Sequence, residues 1–186
     1  YHDEPGYIAA LAASVRERWQ AEGEPEKLLM SFHGMPQRYF DDGDPYFCYC
    51  QKTARLLAEA LALPSDRWML SFQSLFGKEE WLKPYTDRTV ERLAREGVRA
   101  LDVICPGFSA DCLETIEEID QLNREIFLLH GGEKFRFISC LNERDDHLDF
   151  LAARVARELA GWVGEEAVDR AATARRAGSL RGRPAG

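Results

Sequence analysis

Residues 27–36 read KLLMSFHGMP, a short apolar run that leads directly into a histidine, a glycine and a proline. Two more runs of this kind, RWMLSF at 67–72 and ALDVIC at 100–105, also end in loops. The stretches between the runs are longer and place apolar residues at helical spacing. Strands that alternate with helices in this way indicate βαβ units, and therefore a parallel sheet.

The whole pattern predicts an alternation of strands and helices along the chain. The strands are predicted at Lys27–Phe32, Arg67–Phe72, Ala100–Cys105 and Phe135–Ser139, and the helices at Pro5–Gln20, Tyr46–Leu63, Thr86–Glu96, Cys112–Leu129 and Asp145–Trp162. A four-stranded parallel sheet with right-handed crossovers gives a doubly wound three-layer α/β sandwich. This lobe is predicted to cover residues 1–162, whereas residues 163–186, rich in Ala, Arg and Gly, are expected to form a disordered tail.

The composition excludes several classes of protein. The 186 residues carry a net charge of −8, which argues against a nucleic-acid binder because phosphate backbones are held by a surplus of Lys and Arg. No apolar run approaches the roughly 20 residues of a transmembrane helix. The first residues, YHDEPGY, contain no secretion signal. A chain that opens with Tyr rather than Met is expected to be a piece of a longer protein.

The five cysteines predict free thiols rather than a disulfide framework. An odd number of cysteines without a secretion signal favours a reducing cytoplasm. Cys48 and Cys50 form a CxC pair, which could be half of a metal site or could be incidental. The other three lack the CxxC spacing of zinc and iron–sulfur sites.

A histidine leaves the first predicted strand at the edge where doubly wound sheets bind ligands. His33 is followed by Gly34 and Pro36, which favour a tight turn and direct the imidazole into the crevice. Imidazole titrates near neutrality, so this side chain could accept a proton or bind a metal. It could equally cap the sheet by a hydrogen bond to a neighbouring loop, and its position alone leaves both interpretations open.

Carboxylates follow the third predicted strand. Asp111, Glu114 and Glu118 stand at i, i+3 and i+7, a spacing that gives one stripe at the start of a helix. Part of this acidity suits the helix dipole. The same stripe also suits a divalent cation or a chain of proton acceptors. With His33 on a neighbouring strand end, the carboxylates could hold a borderline metal such as Fe²⁺.

Aromatic side chains gather in the same loops and could stack on a flat apolar ligand. They are Phe32, Tyr39, Phe40, Phe76, Trp81 and Phe108. Core packing explains most of them, and Trp81, in a loop rich in glycine and charge, is the least typical of a core. The chain has neither a glycine-rich phosphate loop nor a GxSxG motif. The residues alone therefore predict a crevice of histidine, acids and aromatics, and they name no reaction.

Four sequence blocks resemble the ferrochelatases, which insert ferrous iron into a porphyrin in the last step of haem synthesis. The blocks are SFHGMP at 31–36, GDPY at 43–46, FQSLFGKEEWLKPYTD at 72–87 and CPGFSADCLETIEEID at 105–120. They occur in the family's order and with its separations, over about residues 1–160. The resemblance is strongest to the bacterial cytoplasmic members.

The resemblance assigns roles to residues of this chain. His33 matches the active-site histidine and Glu114 the catalytic glutamate, and both would contact the metal. Asp111 and Glu118 match acidic positions that relay protons or metal, and Phe108 and Trp81 match positions beside the porphyrin. Cys112 stands where some members have a second histidine, so no metal role is transferred to it.

The resemblance also implies partners and an incomplete site. The substrates would be protoporphyrin IX and Fe²⁺, with no permanently bound cofactor. An iron–sulfur cluster is not expected, since the end of the chain lacks the cysteines that hold it in some members. The family has two α/β lobes, and this chain would be the C-terminal one, without its N-terminal partner. The alternatives are a non-catalytic porphyrin- or metal-binding fragment, or a chelatase for another metal or for coproporphyrin.

Overall fold

The computed structural model describes residues 1–162 together with residues 171, 175 and 178. Residues 1–150 form one compact unit, and residues 151–186 are assigned to a second. The fold and the site lie in the first unit. The tail predicted at 163–186 falls outside the described residues, apart from those three positions.

The sheet is parallel throughout, and the predicted α/β fold class is confirmed. It is built from β1 (Lys27–His33), β2 (Trp68–Gln73), β3 (Ala100–Ile104) and β4 (Lys134–Ile138). The strand order is β2-β1-β3-β4, with every neighbouring pair parallel. β2 lies on one side of β1 and β3 on the other, so the order in which strands are added to the sheet reverses after β2. Sheets of this kind bind ligands at the carboxyl ends of the strands beside that reversal.

Helices cover both faces of the sheet. The elements are α1 (Pro5–Glu22), α2 (Gln37–Asp41), α3 (Tyr46–Ala60), α4 (Thr86–Arg95), a π-helix (Glu114–Asn123), α5 (Arg124–Leu129) and α6 (Asp145–Glu158). Helix α1 packs against α3, whereas α4, α5 and the π-helix pack together on the other face. The short α2 lies in a segment that the sequence predicts as a loop.

The core beneath the site is made of strand residues and the helices above them. Leu29, Leu101, Val103 and Phe135 of the sheet pack against Val90, Leu93, Ile119 and Phe127. Because side chains alternate along a strand, His33 faces the same side as Leu29 and lies toward the π-helix. This packing aims the end of β1 at the helix that carries Glu114.

The sequence predicts one α-helix at Cys112–Leu129. A helical segment is present there, but it is not a single α-helix. The structure has a π-helix at Glu114–Asn123 that continues into α5. Side chains support the wider turns by binding main-chain carbonyls: Gln73 Nε2 donates to Glu114 O at 2.8 Å, and Asn123 Nδ2 donates to Glu118 O at 2.7 Å. Apolar periodicity does not distinguish the two kinds of helix, because the difference lies in the main-chain hydrogen bonds.

No helix among the described residues combines the length and the apolar character that a membrane crossing requires.

Candidate active site

His33 is the last residue of β1, and its ring orientation is set by its own loop. Its Nδ1 lies 2.7 Å from the carbonyl oxygen of Gly34. A carbonyl only accepts hydrogen bonds, so Nδ1 carries the proton in the neutral ring and Nε2 keeps a free lone pair. The half-buried imidazole is therefore prepared to bind a metal or to accept a proton through Nε2.

Two contacts hold the end of β1 in place. The Tyr46 hydroxyl donates to the carbonyl of His33 at 2.8 Å, and burial raises the pKa of Tyr46, so it stays a donor. The Gly34 N–H donates to the carbonyl of Gln73 at 2.8 Å. A Cβ at position 34 would lie 2.8 Å from this carbonyl oxygen and 3.0 Å from the Trp81 ring. Glycine is therefore required for the close approach of the two strand ends.

Two aromatic rings flank His33. The ring centroid of Trp81 lies 6.3 Å from that of His33, and the centroid of Phe108 lies 6.1 Å away. Trp81 is placed by an antiparallel bridge with Pro36, in the turn that follows His33. Both aromatic side chains are partly exposed, so they leave apolar ring surface beside the imidazole.

Glu114 begins the π-helix and is near enough to His33 for their charges to interact. Its own backbone N–H, a hydrogen bond from Cys112 and the proximity of His33 hold the pKa of Glu114 below its ordinary value. The carboxylate is therefore ionised at neutral pH. A neutral imidazole and a carboxylate are ligands that suit a borderline divalent metal.

Glu118, one turn further along, is held by the loop after β2. Ser74 donates to the two carboxylate oxygens of Glu118, from its N–H at 2.7 Å and from its hydroxyl at 2.9 Å. Ser74 adopts a φ of +66°, in the left-handed region that brings both donors to one carboxylate. Glu118 is thus fixed against the loop after β2, in a cavity that Gln73 and Asn123 also line.

Asp111 points toward a different loop. Its carboxylate accepts hydrogen bonds from Asn142 Nδ2 at 2.8 Å, the Cys140 N–H at 3.0 Å and the Thr115 hydroxyl at 3.2 Å. Burial alone would raise the pKa of Asp111, but these donors outweigh it and lower the pKa. The carboxylate connects the start of the π-helix to the loop after β4. Its predicted role in a relay stays a prediction, and its contacts are those of a structural connection.

The described residues contain no group of three or more His, Cys, Asp or Glu side chains that could hold a metal ion. His33 and Glu114 would therefore supply at most two ligands, and a metal there would keep positions for water or for a substrate. Cys48 is exposed whereas Cys50 is buried, and burial raises the pKa of Cys50 to about 12. Their opposite exposure argues against a shared CxC site.

Two supporting residues carry no assigned chemistry in the sequence interpretation. Tyr46 and Gln73 lie within the GDPY and FQS blocks, and both hold main-chain atoms of the site. In the sequence, the one indication of a role for Gln73 is that it is a polar residue at the end of an apolar strand. Nothing in the sequence identifies its partner at Glu114, because that partner is 41 residues away.

Comparison with known proteins gives one consistent family. A sequence model described as Ferrochelatase matches residues 1–159. The ferrochelatase of Hydrogenovibrio crunogenus is 59% identical over 169 residues, which cover 91% of this chain and 45% of that protein. That of an Azoarcus species is 57% identical, covering 88% and 45%, and that of Chromobacterium violaceum is 54% identical, covering 94% and 49%. The chain spans about half the length of these curated relatives.

Proposed function

Because the chain belongs to the ferrochelatase family, we propose that it carries the metal-inserting half of an enzyme that places Fe²⁺ in protoporphyrin IX. The observation that carries the proposal is the position of His33, at the end of β1, near Glu114, the first residue of the π-helix, whose pKa it lowers. His33 presents a free Nε2 lone pair, Glu114 presents an ionised carboxylate, and Trp81 and Phe108 offer ring surface beside them.

The reaction needs both of these groups. Two pyrrole N–H protons must leave the porphyrin while iron loses water ligands. His33 Nε2 would accept one proton or bind the iron, and the ionised Glu114 carboxylate would take up the other proton or deliver the iron. The aromatic rings hold the macrocycle, and a bent macrocycle would expose a nitrogen lone pair to the metal. A two-ligand protein site suits this step, because iron has to be released into the ring.

Glu118 and Asp111 are proposed to continue the path for protons or metal beyond Glu114. Glu118 is partly exposed and lies one turn along the π-helix, which supports a route to solvent. Asp111 has both carboxylate oxygens bound by donors. Because those donors come from Cys140 and Asn142, the contribution of Asp111 is best supported as holding the start of the π-helix to the loop after β4.

The proposal includes partners and a location. Iron is a substrate, and no cofactor or iron–sulfur cluster is permanently bound. The other wall of the porphyrin site comes from the N-terminal part of the protein, which corresponds to the half of the relatives that this chain does not cover. The protein works in the cytoplasm without binding nucleic acid.

A second candidate is a porphyrin- or metal-binding unit without turnover. The coverage of about half of each relative favours it for the chain alone, since one wall of the site would be absent. The same geometry would also accept coproporphyrin or another divalent metal. An assay that compares protoporphyrin IX with coproporphyrin, and Fe²⁺ with other divalent metals, distinguishes these possibilities.

The test is an anaerobic assay with Fe²⁺ and protoporphyrin IX, using the chain alone and the chain supplied with the N-terminal half of the Hydrogenovibrio crunogenus relative. We expect haem to form with both halves present and to fall at least about 10³-fold in His33→Ala. His130→Ala is the matched control, because His130 binds Ile126 O and lies beside Glu91, away from the site. A Soret shift without turnover supports the binding candidate, and an active His33→Ala variant contradicts the assignment.

A further inference from the structure

Gln73 is buried between the two halves of the candidate site. It is the last residue of β2, its side chain is 3% exposed, and it pairs in register with His33 on β1. A glutamine amide carries an oxygen that accepts and an NH₂ group that donates. Leaving either end unpaired in such a buried position would be strongly destabilising. The partners of this amide therefore define what the residue does.

Both ends of the amide are used, and they connect different elements. The Nε2 donates to the carbonyl of Glu114 at 2.8 Å. The Oε1 accepts from the Ser31 hydroxyl at 2.7 Å and from the Cys105 thiol at 3.4 Å. Ser31 lies two residues before His33 on β1, and Cys105 follows β3. One side chain thus contacts β1, the end of β3 and the first residue of the π-helix.

Hydrogen-bond chemistry fixes the orientation of the amide. The carbonyl of Glu114 can only accept, so Nε2 faces it and Oε1 faces Ser31. Ser31 then gives its single proton to Gln73 and must accept from Thr86, at 2.8 Å. Thr86 in turn accepts from Ser71, at 2.9 Å. The donors run in one direction through four side chains that are at most 3% exposed, so the amide cannot flip without breaking the series.

The main chain of Gln73 contacts the strand that carries His33. Its carbonyl accepts the Gly34 N–H at 2.8 Å, directly after His33. The residue therefore holds the histidine strand through its backbone and the glutamate helix through its side chain. We propose that Gln73 is a positioning residue that sets the separation and angle between His33 and Glu114. This rests on the proposed function, since the placement matters to catalysis only if both groups act on one metal ion.

Gln73→Met tests the proposal, because methionine keeps the length of the side chain and removes its donor and acceptor. With both halves present, as in the haem assay, we expect kcat to fall about 10- to 100-fold and KM for the porphyrin to stay unchanged. The matched control is Thr53→Val, which removes buried hydrogen bonds to His2 O at 2.6 Å and Tyr49 O at 3.0 Å. This control is expected to lower the melting temperature without changing kcat.

Hydrogen exchange gives a readout that does not depend on turnover. In the full 186-residue chain, Gln73→Met is expected to speed exchange of the amides at residues 114–119 by roughly tenfold, and Thr53→Val is not. If the wild type forms no haem, the proposed function fails and exchange alone decides the positioning claim. A folded Gln73→Met variant with wild-type kcat and wild-type exchange overturns the claim, as does a change in KM alone.

Ser31→Ala is the second variant, for the case that Gln73→Met does not fold. It removes one donor to Oε1 and leaves the bond to Glu114 O in place. We expect the same direction of change in kcat, with a smaller size than for Gln73→Met. Unchanged kcat and unchanged exchange in a folded Ser31→Ala variant would then overturn the proposal.

Discussion

Two acid–base pairs in this molecule differ in how completely their polar atoms are hydrogen-bonded to the rest of the protein. Asp102 and Arg136 meet in the middle of β3 and β4, where Arg136 donates to the two carboxylate oxygens at 2.6 and 2.8 Å and the Trp19 indole donates at 2.8 Å. Arg136 also donates to the carbonyls of Glu22 and Gly23. Glu114 begins the π-helix, close enough to His33 for the imidazole to lower the pKa of Glu114, and the hydrogen bond from His33 Nδ1 to Gly34 O leaves Nε2 free.

The contrast shows how position in a parallel sheet separates stability from chemistry. In mid-sheet, side chains from neighbouring strands and from α1 can surround a charge, and every polar atom of the Asp102 carboxylate is used. At the carboxyl ends the strands diverge into loops, so a side chain can be held from one side and remain open on the other. The closed pair should therefore determine folding, and the open pair should determine reactivity.

The largest expected effect on stability comes from breaking the closed pair. Asp102→Leu leaves the buried Arg136 guanidinium with only the more distant, half-exposed Glu22 carboxylate, at 3.6 Å, as a counter-charge, and should cost about 3 kcal/mol in the free energy of unfolding. The double variant Asp102→Leu/Arg136→Met should recover much of this loss, because no unpaired charge remains. Urea unfolding measures both. Glu114→Gln is the open-pair control, and a loss there as large as in Asp102→Leu would remove the distinction.

An intermediate effect is expected where the open site is built from close backbone contacts. In Gly34→Ala the new Cβ would lie 2.8 Å from the Gln73 carbonyl oxygen, so the strand ends must separate, at a cost of about 1–3 kcal/mol. Gly107→Ala is the matched change, since its nearest neighbour would be a Phe32 ring carbon at 3.3 Å. Thermal unfolding should show the smaller loss for Gly107→Ala. Equal losses would mean that the approach of β1 and β2 is not tight.

The smallest expected effect is a pH dependence at Asp111. Its pKa is lowered in the fold, so its contribution to stability is present above the unfolded pKa of about 3.9 and is lost as the pH falls through the folded value. Asp111→Asn should therefore be less stable than wild type at about pH 7, with a difference that shrinks toward about pH 3. Urea midpoints across this range measure it. A difference that is constant with pH would show that the charge of Asp111 contributes nothing.

The strands and the candidate site residues can be predicted from the local sequence, whereas the hydrogen-bond partners of those residues cannot. Apolar runs bounded by Gly and Pro predict the strands, and because ligands bind at strand ends they also single out His33 and the acids after β3. The three acids look equivalent in the sequence. Their difference comes from Asn142, 31 residues beyond Asp111, and from Ser74, 44 residues before Glu118. Partners at such separations depend on the completed fold.

The Asp102–Arg136 pair and the π-helix illustrate the same limit. ALDVIC is readable as a strand although it contains an aspartate, but the arginine that neutralises it stands in the next strand, 34 residues later. The apolar spacing predicts a helix at 112–129, and in the structure Gln73 and Asn123 bind carbonyls of its wider turns. Periodicity identifies the element, and its form is recognised only from the hydrogen bonds of the folded main chain.

The most direct test of the open pair is long-range ¹H–¹⁵N NMR of the His33 ring, with and without Zn²⁺ as a redox-stable substitute for Fe²⁺. In the neutral ring we expect a protonated Nδ1 and a bare Nε2. Zn²⁺ should shift the Nε2 resonance of His33, and Glu114→Gln should weaken that binding by about tenfold or more. A protonated Nε2 in the free protein, or a Zn²⁺ titration that leaves His33 unchanged, would contradict the account.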